Sequence, residues 1–290
     1  MRNIGLDALQ IFKTVAEQGG IVKAAAKLNR VQSNVTTRVK QLEAQLGIQL
    51  FLRQNRRLVL SPEGRLLLGY ADQMLRLSSE AQAVLRDGTP RGTLRLGTME
   101  STAAARLPPI LARYHQLFPE VRVELQTGTT GALISKVLSY EIEAAFVAEP
   151  FTGDSLDREI AFREKLVLIR PKNFPKIRTP EDIGRTTLIA FETGCSYRRI
   201  LRDWLGRAKV VPERVLEFGS YHAIVACVAS GAGIAIVPES VLRSVRVEKD
   251  VDISPLPAQV ANVRTLLVWR SGHRSLALDA LRQEVKQTKR

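Results

Sequence analysis

The stretch "AAAKLNRVQSNVTTRVKQLEAQLG", residues 24–47, sets an alanine-rich helix, a polar break and a second, polar helix in immediate succession. Alanine lets helices approach closely. The break is Asn29-Arg30-Val31, after which residues 32–46 form a helix with Val35, Val39, Leu42 and Leu46 facing the core. Gly47 stops it. Gln32, Ser33, Asn34, Thr36, Thr37 and Arg38 crowd its first two turns. Their donors and acceptors match those on base edges in the DNA major groove. The N-terminus of such a helix also favours phosphate. The competing explanation is a solvated polar face.

The flanks support the first explanation. Leu6, Leu9, Phe12, Val15 and Ala16 recur at helical spacing, which predicts an amphipathic helix over 6–18. Gly19-Gly20 ends it, and a further helix covers 21–28. On the other side, "IQLFLRQNRRLVLSPEG" (48–64) offers apolar Leu50-Phe51, a basic turn at 53–57 and a short strand at 58–60. This is a small wing that would carry Arg53, Arg56 and Arg57 onto the DNA backbone or minor groove. Helix, turn, polar helix and basic wing make a winged helix-turn-helix, whose second helix enters the major groove. Residues 1–60 hold ten basic side chains against three acidic ones, half of the chain's net charge of +14. That footprint suits a polyanion.

Ser61 reads as an N-cap and Pro62 as the first position of the next helix. No further proline occurs to residue 86, and Leu67, Ala71, Met74, Ser78, Ala81 and Leu85 alternate spacings of four and three. That pattern predicts a dimerising coiled-coil seam; packing of the helix on its own domain is the alternative. "RDGTPRG" (86–92) is a hinge. Beyond it, β-rich runs alternate with helical segments at 104–117, 131–140, 196–207 and 221–230. The alternation predicts an α/β domain with mostly parallel sheets, large enough for two subdomains with a cleft between them.

The chain resembles the LysR-type transcriptional regulators. Leu42-Glu43, Leu46-Gly47, Leu50-Phe51, Arg53, Leu60-Ser61 and Gly64 fill that family's N-terminal pattern, and "LFPEVRVEL" (117–125) and "VASGAGIAIVP" (228–238) match later segments. Within the family, "RVQSNVTTRVKQLE", "ESTAA", "CSYRR" and "SYHAIVACVASGAGIAIVP" look most like the putrescine-utilisation regulators. The resemblance implies a winged helix-turn-helix over 1–60, a dimerising linker helix over 61–88 and an effector-binding domain of the periplasmic-binding-protein type over 89–290. Subdomain I would be 92–161 with 266–290, and subdomain II 162–265. It further implies a dimer of dimers on an interrupted palindrome in double-stranded promoter DNA. A small-molecule effector, an amine or amino acid, would change DNA bending and so RNA polymerase recruitment.

Three strand-to-helix turns suit such an effector, because helix starts present free N–H groups. The first carries Thr98, Met99, Glu100, Ser101 and Thr102, the second Thr129 and Thr130, and the third Thr193, Cys195 and Ser196. Ligand contact and ordinary helix capping are both open to these hydroxyls. Tyr221 and His222 sit at a further helix start, with a core or capping role open to His222. Glu100 and Glu149 are candidate counter-charges for an amine, unless either faces solvent or pairs with an arginine such as Arg198. Cys195 lies near a helix N-terminus, where a thiolate is favoured.

Other classes lack their signatures. No nucleophile elbow, phosphate loop or zinc spacing is present, so no enzyme, cofactor or metal is expected. Gly231 and Gly233 precede a strand, unlike a dinucleotide fingerprint, and suit tight packing after a helix. The N-terminal helices use alanine where a membrane-surface helix needs bulky apolar residues. The longest apolar stretch, 223–238, is too short to span a bilayer. A cytoplasmic protein is expected.

Overall fold

A computed structural model describes residues 3–54, 57–86, 88–245 and 249–288. Contacts divide the chain into two compact units, Met1–Thr89 and Pro90–Arg290.

The first unit begins with α1 (Leu6–Gln18), α2 (Ile21–Lys27) and α3 (Gln32–Leu46). Gly19, at φ +65°, takes the left-handed conformation that ends α1. Ile11 and Val15 of α1 pack on Ala24, Ala25, Val35 and Val39. The small alanines let three helices meet over so little volume. Strands β1 (Phe51–Gln54) and β2 (Arg57–Leu60) pair as an antiparallel hairpin with Gln54 opposite Arg57. Arg53 and Gln54 therefore belong to the strand, and the turn is shorter than the predicted 53–57. Arg56 lies outside the described residues. The wing is tied to α3 by Glu43, whose Oε1 accepts the N–H groups of Leu50 at 2.8 Å and Phe51 at 3.2 Å.

Helix α4 (Pro62–Arg86) starts at a cap: Ser61 Oγ accepts the Gly64 N–H at 2.9 Å and donates to the Gln49 carbonyl at 2.7 Å. The first half of the expected seam is covered within the unit. Ala71 is buried with Leu67, Leu68 and Leu75 against Leu9, Phe12, Leu42 and Leu50 of the same unit. Among the described residues, the large apolar side chains of α4 left open are Leu66 (65% exposed), Tyr70 (52%), Leu77 (67%) and Met74 (37%), the last a position of the predicted seam. The unit's own core claims the first half of the predicted seam. The side chain of Leu85 lies outside the description.

The second unit opens with β3 (Gly92–Thr98), α5 (Glu100–Ala105), α6 (Leu107–Leu117), β4 (Val121–Thr127), α7 (Thr130–Leu138) and β5 (Ala144–Ala148). The helix predicted over 104–117 is two, broken at Arg106, with Pro108 and Pro109 in the first turn of the new one. Strand β6 (Leu156–Arg170) follows, then β7 (Leu188–Phe191), α8 (Ser196–Arg207), β8 (Val215–Phe218), α9 (Tyr221–Ala229) and β9 (Ala235–Pro238). The chain closes with α10 (Glu239–Val245), β10 (Asp252–Pro255), α11 (Ala258–Ala261), β11 (Asn262–Arg270) and α12 (Leu276–Gln287).

The main sheet runs β10-β6-β11-β5-β3-β4, with β9 also on β6. Among the described residues, β3 pairs in parallel with β4 and β5, β7 pairs in parallel with β8, and an isolated parallel bridge joins Leu188 to Ile234. Strands β6 and β11 are antiparallel to all their neighbours, so the sheet is mixed where mostly parallel pairing was expected. The cause is the length of β6. Its first part pairs β11, in the lobe of β3–β5, and its last residues pair β9 and β10 in a second lobe. One strand thus serves both lobes. The first lobe encloses Leu96, Tyr114, Phe146 and Leu281, the second Tyr197, Leu201, Ile224 and Val237. Gly233 packs where expected after α9: a Cβ there would stand 2.3 Å from the Thr187 carbonyl oxygen.

Candidate DNA-reading helix and effector cleft

Helix α3 turns its polar residues outward. Gln32, Ser33, Asn34, Thr37 and Arg38 are exposed, while Val35 and Val39 are buried behind them. Thr36 is half-buried and donates its hydroxyl to the Gln32 carbonyl at 2.9 Å, so it braces the helix. No side chain caps the start of α3, which leaves its first N–H groups free for an anion. Arg53 is exposed on β1, and Arg57 opens β2. Sequence reading missed Arg30. Its guanidinium holds Asp7 bidentately, at 2.6 and 3.2 Å. That bond keeps the Asp7 carboxyl below its ordinary pKa, with Arg38 adding to the effect. No local signal links residues 23 positions apart.

In the second unit, a narrow cleft lies between the lobes. Met99, Glu100, Ser101, Thr129, Thr130, Cys195, Ser196 and Tyr221, all expected from sequence, line it. Gly128, Phe191 and Tyr197 line it too and were not foreseen. Thr102 is buried but does not line it, and His222 is exposed outside it. Glu149 is a correction. It is absent from the lining, and Arg264 binds its carboxylate bidentately at 2.6 and 2.9 Å. The partner is an arginine, as one alternative had it, though not Arg198, which pairs with Glu217.

Hydrogen bonds cross the cleft. Ser196 Oγ donates to the Ala148 carbonyl at 2.8 Å, the Gly131 N–H to the Gly194 carbonyl at 3.4 Å, and the Tyr221 N–H to Glu100 Oε1 at 3.4 Å. Thr129 accepts the Ala132 N–H and caps α7. Thr130 accepts from the Ala148 N–H and donates to Met99 Sδ. Glu100 Oε2 is buried without a hydrogen bond among the described residues. Ser101 and Tyr197, both almost wholly buried, face each other, with Tyr221 also against Ser101 and Thr265 also against Tyr197.

The titratable groups follow burial. It raises the Glu100 pKa, against the pull of the Tyr221 N–H and of His222. Burial also pushes the Cys195 thiol up, outweighing the backbone N–H groups at the start of α8. The sequence argument for a thiolate there fails for that reason. Among the described residues, no group of three or more His, Cys, Asp or Glu could hold a metal, and no helix is long and apolar enough to cross a membrane.

Comparison with known proteins covers both units. The profile of the bacterial regulatory helix-turn-helix protein, lysR family, matches residues 6–65, and that of the LysR substrate binding domain matches residues 87–290. The HTH-type transcriptional regulator GltR of Bacillus subtilis (strain 168) is 37% identical over 268 residues, 92% of this chain and 90% of that one. The uncharacterized HTH-type transcriptional regulator YusT of the same strain is 39% identical over 263 residues, 90% of this chain and 88% of that one. Among solved structures, a cysteine-to-aspartate variant of full-length OxyR from Pseudomonas aeruginosa has a TM-score of 0.75 at 19% identity, covering 99% of this chain and 96% of its own. Full-length CbnR in complex with its target DNA has a TM-score of 0.67 at 22% identity, covering 98% and 100%. At these identities the two structures speak for the fold.

Proposed function

The chain belongs to the LysR family of transcriptional regulators, and from that premise we propose that it binds promoter DNA through α3 and the wing under control of a small effector in the interlobe cleft. The observation that carries the proposal is the pairing of an outward polar face on α3 with a separate cleft holding a buried carboxylate oxygen of Glu100 that lacks a partner among the described residues. Gln32, Ser33, Asn34, Thr37 and Arg38 read base edges, and Arg53 and the wing arginines hold the backbone. Glu100, Ser101 and Tyr197 are the effector contacts. Met99, Thr129, Thr130, Cys195, Ser196 and Tyr221 shape the cavity. The effector is an amine or amino acid, in keeping with Glu100 and with the putrescine-regulator resemblance. The protein acts in the cytoplasm, recruits RNA polymerase and turns nothing over.

Footprinting of the purified protein on the region upstream of its own gene tests the DNA assignment. Protection of an interrupted palindrome is expected; uniform binding to all fragments would sink it. Replacing Arg53 by Ala should weaken operator and random DNA alike and lower the salt slope by about one unit. An unchanged slope would remove Arg53 from the phosphate contacts.

The open stripe of α4 is the dimer seam, and pairs of such dimers form the tetramer. Leu77→Asp places a charge in the most exposed apolar position of that stripe. Sedimentation should then show a smaller assembly than wild type. An unaltered assembly would move the seam elsewhere.

A further inference from the structure

The cleft is electrically lopsided. Among the described residues, Glu100 is the only charged side chain lining it, and no Lys or Arg does. One oxygen of Glu100 is used, accepting the Tyr221 N–H from the opposite lobe; the other is buried without a partner. Ser101 and Tyr197, whose hydroxyls face each other, share the lining with it. Phe191 and Tyr221 add two ring surfaces whose centroids lie 4.5 Å apart. An unpaired carboxylate oxygen, two hydroxyls and aromatic faces form a seat for an ammonium group.

The rest of the cavity has the opposite character. Helices α7 and α8 both begin there, at Thr130 and Ser196, and present the positive ends of their dipoles. The Gly131 N–H at the start of α7 is engaged only by the long 3.4 Å bond to the Gly194 carbonyl. Among the described residues, no second carboxylate lines the cleft to meet a second ammonium, and Glu149 pairs with Arg264 outside it.

Resting on the effector reading above, we propose that the ligand is a zwitterion, an amino acid rather than a diamine, with its ammonium on Glu100 and its carboxylate toward the starts of α7 and α8. Glu100 then selects the ligand and joins the lobes together. Its Oε1 is held by α9 while its Oε2 takes the ammonium, so a cation in the seat and a closed cleft reinforce each other. Burial raises the Glu100 pKa, and an ammonium beside the carboxylate would lower it.

The test uses full-length protein and matched triads: a small amino acid, the amine lacking its carboxylate, and the acid lacking its amine. 1,4-Diaminobutane is included as the diamine. Thermal shift ranks the panel and calorimetry measures the hits. The expected result is a zwitterion that binds, with each truncated analogue weaker by about 10-fold or more. Glu100→Gln, which keeps size and one acceptor, should weaken the zwitterion by about 10-fold or more and leave or improve binding of the acid. Tyr197→Phe should weaken the zwitterion by a smaller factor. If 1,4-diaminobutane or the bare acid binds at least as tightly as every zwitterion, the pole assignment is wrong. When that binding is still lost in Ser101→Trp, the effector cleft itself stands. If no compound binds, or binding ignores Ser101→Trp, the cleft reading falls with the proposal.

Discussion

Replacing Gly64 by Ala lowers the melting temperature of the DNA-binding unit by on the order of 10 °C and abolishes operator binding at temperatures the wild type tolerates. Gly64 is the third residue of α4, where alanine would ordinarily stabilise the helix by up to about 1 kcal/mol. Here a Cβ would stand 2.2 Å from the carbonyl oxygen of Leu50 and 3.0 Å from Leu60 Cδ2. The first neighbour is backbone and cannot rotate away. Moving it disturbs the Ser61 N–H to Leu50 carbonyl bond and the Glu43 contacts that hold the wing to α3. Overpacking of this kind costs about 1–3 kcal/mol, and each kcal/mol moves a domain of this size by about 4–8 °C. Calorimetry on the full chain resolves the outcome. A transition within a degree or two of wild type would mean that the helix start yields more easily than its packing implies.

Arg38→Ala reduces operator affinity by about 10- to 100-fold while barely changing binding to random DNA. Arg38 is exposed on the outward face of α3, one turn beyond Asn34. A guanidinium that grips a base edge bidentately is worth about 1–3 kcal/mol of discrimination. An arginine touching only phosphate would lower both affinities together. Paired gel-shift titrations, operator against scrambled sequence, separate the two. Equal losses would transfer Arg38 to the backbone contacts. No loss at all would mean that a different face of α3 meets the groove. Melting temperature should stay near wild type, because the side chain is exposed.

The two predictions draw on information of different reach. Arg38 is legible in the sequence because a helix has a fixed period: once Val35 and Val39 face inward, Asn34 and Arg38 must face out. The strand-to-helix turns of the effector unit are legible for the same reason. Each is a local motif whose free N–H groups point one way, and most of the residues assigned there do line the cleft. Gly64 also stood out as part of a local pattern. What sequence did not disclose is that its missing Cβ makes room for the carbonyl of Leu50, on the far side of the wing.

Long-range pairing decided the rest. Glu149 reads as a cleft residue because it follows a strand whose end should open there. It meets Arg264, 115 positions on, and no spacing rule joins the two. Tyr197 reads as part of a polar helix start, yet the fold buries it beside Ser101 and Thr265. The seam on α4 follows a heptad rule in sequence, but the core around Leu9 and Phe12 takes Ala71 first and leaves Leu66, Tyr70 and Leu77 outside. By itself, the sequence determined the family, the order of units, the outward polar face of α3 and the turns that build the cleft, since these depend on contacts within a few residues. Only the tertiary structure decided which polar atoms in the cleft remain unsatisfied and which apolar stripe stays open. Those depend on which distant partner reaches each group first.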